Sequence, residues 1–70
     1  MRIIAKDDDE AERIIAVIWL ELERNKIPAP FIKIARRSSA LLINLLFEQQ
    51  NHEELVRKEA LSTHMWLRVV

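Results

Sequence analysis

The residues best suited to binding chemistry are concentrated between Phe31 and Phe47. This segment carries three cations and no acidic residue. Two serines follow the last cation, and an asparagine lies about one helical turn beyond them. If the segment forms a helix, a short turn and a second helix, the cations and the serines with the helix amides can hold phosphates, and the asparagine can read an adenine edge. The candidate DNA-binding residues are therefore Lys33, Arg36, Arg37, Ser38, Ser39 and Asn44.

The same residues also fit a purely structural role. The three cations can form the solvated side of an amphipathic helix, and either serine can cap the helix that follows. Sequence alone leaves both interpretations open.

Catalytic and metal chemistry have little support in the sequence. There is no cysteine and no glycine, which excludes thiolate sites and glycine-rich phosphate loops. The two histidines, His52 and His64, lack the spacing of helical metal ligands, and no nucleophile follows a turn that would expose it. We therefore expect no catalytic residue, no metal and no cofactor, and we expect that the protein is not an enzyme.

Composition limits the size and the surroundings of the protein. Seventy residues suffice for a single domain, 1–70. Lysine plus arginine equals aspartate plus glutamate at 11 each, so the net charge is zero, unlike that of a strongly basic nucleic-acid binder. The uncharged stretches are far shorter than the roughly 20 residues of a membrane span. We expect a cytoplasmic protein without a membrane partner.

The fold expected from periodicity is mainly α, a compact four-helix domain with a helix-turn-helix-like centre. Acidic residues at a helix start and apolar residues at helical spacing predict the first helix, and proline, serine and asparagine mark the later breaks. The tail from His64 to Val70 is either a last helical turn or a strand that pairs with Arg2–Ala5, giving a short β ribbon or wing. The predicted helices are Asp7 to Asn25, Phe31 to Arg37, Ser38 or Ser39 through Gln49, and His52 to about Leu61.

One candidate interface is apolar. Ile43 and Phe47 fall on the side of the predicted third helix that faces away from its main apolar stripe. If they are exposed, they form an oligomer interface. Burial of the pair under the tail is the alternative.

Part of the chain resembles small winged-helix regulators. The resemblance rests on Phe31 to Ser39 for the second helix and turn, on Leu55-Val56-Arg57-Lys58 at the entry to a wing, and on Trp66 to Val70 as a returning strand. It implies a three-helix core, binding to DNA and a homodimer. The function expected from the sequence is a small non-enzymatic DNA-binding regulator. The alternative is a helical homo-oligomerisation or protein-interaction module without a nucleic-acid role.

Overall fold

Four antiparallel strands form one sheet, and two helices pack on one side of it. The computed structural model describes residues 1–70. The strands lie in the order β2-β3-β1-β4, and the chain alternates strand-helix-strand twice, which is the split βαβ arrangement also called ferredoxin-like. The elements are β1 (Arg2–Ala5), α1 (Asp8–Arg24), β2 (Phe31–Arg37), β3 (Ala40–Leu46), α2 (Gln50–Thr63) and β4 (Arg68–Val69).

The prediction of a mainly α, four-helix domain is wrong. The segments assigned to the second and third helices are strands β2 and β3, joined as a hairpin. Along β3, Leu41, Ile43 and Leu45 alternate with side chains on the opposite side, which is the period of a strand. The helix-turn-helix centre and the winged-helix resemblance therefore have no counterpart in the structure.

The turn of this hairpin consists of two serines. Arg37 pairs with Ala40, so Ser38 and Ser39 are the only loop residues. Ser38 has a φ of 53°, whereas Ser39 is not in the positive-φ region. A positive φ at the first central position alone is the pattern of a type II′ turn, where glycine is the usual residue. The absence of glycine did not prevent a tight hairpin.

Helix α1 confirms the first predicted helix and has defined ends. The side chain of Asp7 accepts a hydrogen bond from the Glu10 amide at 2.8 Å. At the other end, the amide of Ile27 donates to the carbonyl of Leu22 at 2.9 Å, and Lys26 adopts a φ of 54°. These features describe a Schellman motif with lysine in place of the usual glycine.

The remaining predictions for the C-terminal part are confirmed in outline. Helix α2 covers the predicted fourth helix, although it begins two residues earlier, at Gln50. The tail pairs with β1, as the ribbon alternative predicts, through Ile3 with Val69 and Ile4 with Arg68.

The core lies between the sheet and the helices. Residues of β1 and β3 supply one side, and α1 and α2 supply the other. The amino group of Met1 lies in this layer and contacts Glu53 Oε1 at 2.8 Å. The most deeply buried apolar side chains are Ile3, Ile14, Ile18, Ile43, Leu45 and Val56. Neither helix packs on the opposite side of the sheet, and that side is called the open face below.

Candidate functional site

The open face is defined by strand register. Residues that pair across neighbouring strands point to the same side, so each pair places two residues together. Arg2 pairs with Asn44, and Asn44 pairs with Lys33. The pairs alternate with those that point into the core. The open face consists of Arg2, Ile4, Phe31, Lys33, Ala35, Arg37, Ala40, Leu42, Asn44, Leu46 and Arg68.

All the charge on the open face is positive. None of the four strands contains an acidic residue. Arg2, Lys33 and Arg37 make no ion pair, whereas Arg68 Nη2 lies 3.5 Å from Glu10 Oε1. The acidic residues lie instead in the helices and the loops, so the zero net charge conceals two regions of opposite sign.

Apolar side chains separate these cations. Phe31 is 65% exposed and pairs with Leu46, which is 47% exposed. Ile4 and Leu42 pair with each other in the middle of the sheet and are half-buried. Exposed apolar side chains next to unpaired cations are typical of a surface that binds an anion with an apolar part.

A shallow depression marks the open face near the β2–β3 turn. Its volume is about 280 Å³. Apolar side chains from β1 and β3 lie between an arginine at the start of β1 and another at the end of β2. Its lining consists of Arg2, Ile4, Arg37, Ala40, Leu41 and Leu42.

The structure brings only some of the predicted DNA-binding residues together. Lys33, Arg37 and Asn44 share the open face. Arg36 points to the helix side, where its Nη2 lies 3.3 Å from Asp8 Oδ1. Ser38 and its neighbour form the hairpin turn rather than a helix cap. The set therefore does not form the phosphate and base contacts of a helix-turn-helix.

The predicted oligomer pair does not form an exposed patch. Ile43 is fully buried in the middle of the sheet. Phe47 is half-buried and packs against the core. These positions follow from the strand geometry of β3, because residues two or four apart along a strand direction point to the same side, here the core.

The sequence interpretation missed most of the open face, since only three of its eleven residues were predicted. Arg2 and Arg68 come from opposite ends of the chain and join the site only because β1 and β4 are neighbours. Phe31 begins β2 and is largely exposed on this face. The one available signal was the short alternation Ile32-Lys33-Ile34 within β2, in a segment whose overall pattern also fits a short helix.

No group of acidic or histidine side chains is arranged to hold a metal ion. Neither helix has the length and apolar character needed to cross a bilayer. No protein-family model, curated protein or solved structure matches this chain.

Proposed function

We propose that this protein binds single-stranded RNA on the open face of its sheet. The observation that carries the proposal is the charge of that face. It holds four cations and no acid, and three of those cations, Arg2, Lys33 and Arg37, have no ion-pair partner. A polyanion supplies the missing negative charge along its whole length.

The charge argues against self-association through this face. A two-fold dimer would place the four cations of one copy against the same four cations of the other. Like charges that face each other across an interface are unfavourable. The partner of the open face is therefore expected to be anionic. Homodimerisation through another surface stays a prediction.

The apolar side chains favour a single strand over a duplex. A duplex hides the faces of its bases, whereas a single strand can lay them against side chains on a sheet. Phe31 can stack on one base, and the amide of Asn44 can donate to and accept from a base edge or a ribose hydroxyl. Four-stranded sheets are used in this way by RNA-binding domains, an analogy of fold alone.

The site also differs from a strongly stacking sheet. Ile4 and Leu42 occupy the middle of the two central strands, and Phe31 is the only aromatic residue within the strands. Binding should therefore depend mainly on charge, with little preference among sequences.

The first prediction concerns salt dependence. Single strands release about 0.7 counterions for each neutralised phosphate. With three to four cations engaged, the logarithm of the binding constant should fall with the logarithm of salt concentration with a slope of about −2 to −3. Fluorescence anisotropy of a labelled single-stranded RNA over a range of salt concentrations measures this slope.

Two adjacent arginines provide a matched comparison. Arg37→Gln removes a cation from the open face and should weaken binding and reduce the slope by about 0.7. Arg36→Gln removes the same charge from the helix side, where it pairs with Asp8, and should change RNA binding far less. Equal losses in the two variants, or no binding of RNA at low salt, would overturn the proposal.

Polyglutamate tests the alternative of a protein-interaction module, because it offers negative charge without bases. RNA should bind more tightly than polyglutamate of equal charge if bases contact the apolar side chains. Equal affinity would contradict the RNA proposal and favour an acidic protein as the partner.

A further inference from the structure

The depression on the open face combines an apolar floor with two flanking cations, and a single ligand can match both. Its floor is apolar, with Ile4, Ala40 and Leu42 at its centre. Arg2 and Arg37 lie on opposite flanks. A nucleotide has the matching parts, because a flat base is joined through its sugar to phosphates on both sides.

We propose that the depression holds one nucleotide of the bound strand, with its base on the apolar floor and its flanking phosphates against Arg2 and Arg37. This inference rests on the proposed function and adds a fixed position to it. Without such a position, the RNA would slide over the cations with no preferred alignment.

Strand geometry supports this placement. Arg2 lies level with Asn44 on β3, whereas Arg37 lies level with Ala40. They are thus four residues apart along the sheet, about 13 Å, and two strands apart, about 10 Å. Leu42 lies midway between these levels, and long arginine side chains can reach toward it from both flanks while their stems cover apolar surface.

The floor also predicts how bases are selected. Its central side chains are aliphatic and offer no hydrogen-bond donor or acceptor to a base edge. The depression should therefore accept all four bases, with purines bound more tightly because they cover more apolar area.

Filling the depression tests the proposal without changing any charge. Ala40→Leu places a larger side chain on the floor and should weaken binding of a short single-stranded RNA by about tenfold, because the base loses its apolar contact with the floor. The salt slope should stay the same because the cations remain. Ala16→Leu makes the same change at an exposed position of α1, away from the open face, and should change affinity less than twofold. Thermal unfolding of both variants checks that they fold.

A mononucleotide gives a second, independent measurement on the unaltered protein. In two-dimensional NMR spectra, 5′-AMP should shift the signals of Ile4, Ala40 and Leu42 in a saturable way, and inorganic phosphate should shift mainly those of the two arginines. RNA binding that is equal in both leucine variants, together with no AMP effect on the floor residues, would overturn the depression as a nucleotide site and leave the proposed function standing. Saturable AMP binding without RNA binding would support the site and overturn the proposed function.

Discussion

Glu21 is the one deeply buried charged residue of the chain. Its side chain is 1% exposed on α1. Oε1 lies 3.5 Å from Nη1 of the largely exposed Arg24, and Oε2 has no hydrogen-bond partner. Burial of a polar oxygen without a partner lowers stability, and an ion pair of the other oxygen with a largely solvated arginine offsets little of that cost. Glu21 is therefore a weak point of the core.

Replacement of this carboxyl group should stabilise the protein. Glu21→Leu introduces an apolar side chain of similar size and removes the unpaired oxygen, so we expect the free energy of unfolding to rise by about 1 kcal/mol. Urea denaturation measures the change. Glu23→Leu, at an exposed position of the same helix, should stay within about 0.5 kcal/mol of the wild type. Destabilisation by Glu21→Leu would show that the carboxyl group has a partner that the contacts above do not include.

At the scale of the elements, the β2–β3 hairpin depends on a residue in an unfavourable conformation. Ser38 has a positive φ, a region that costs residues other than glycine roughly 1 kcal/mol or more. The seven paired residues of each strand hold it there. The turn is thus imposed by the strands more than it is favoured by its own residues.

Glycine at this turn should relieve the strain at one position only. Relief of the strain in Ser38→Gly should raise the free energy of unfolding by about 1 kcal/mol. The greater backbone entropy of glycine in the unfolded chain cancels part of this gain. Ser39→Gly, where φ is not positive, should lower it by about 0.5 kcal/mol. Thermal unfolding compares the two variants, and equal effects from both would contradict a specific strain at Ser38.

The elements differ in how far their sequences determine them. The acidic start of α1 and its apolar spacing specify a helix, and this prediction is confirmed. Strand β3 is ambiguous, because Leu41–Leu46 carries apolar residues on both sides, as a central helix also would. A serine before such a run is equally typical of a helix cap and of a turn. Only pairing with β1 and β2 decides between them.

The candidate site was predictable in part for the same reason. Lys33, Arg37 and Asn44 belong to one local segment without acidic residues, and this local pattern predicts a binding site. Arg2 and Arg68 could not be connected with them, since the order of the strands is a property of the whole fold. Arg36 was predicted as a site residue but is not one. It is adjacent to Arg37 in the sequence, but successive residues of a strand point to opposite sides, so Arg36 lies on the helix side of the sheet.

At the scale of the whole molecule, the charges are arranged as a dipole. The strands carry five cations and no acid, whereas every acidic residue lies in a helix or a loop. A protein of zero net charge should therefore still bind to a cation-exchange resin through its sheet.

Two variants of equal net charge can test this arrangement. Lys33→Gln with Arg37→Gln removes two cations from the open face, and Arg13→Gln with Lys58→Gln removes two from the helices. Both have a net charge of −2. The first should leave the cation exchanger at clearly lower salt than the second. Elution at the same salt concentration would mean that retention follows net charge and not its distribution.

Strand β2 has one free edge, since only β3 pairs with it. Such an edge can accept a strand from another molecule, and the three cations of β2 oppose this because two copies would bring like charges together. Lys33 and Arg37 have both roles: they discourage sheet extension, and they are the residues proposed to hold phosphates. Bound RNA would neutralise the charges of these two residues and leave only Arg36 to protect the edge. Aggregation should therefore be a property of the loaded protein, while the empty protein remains dispersed.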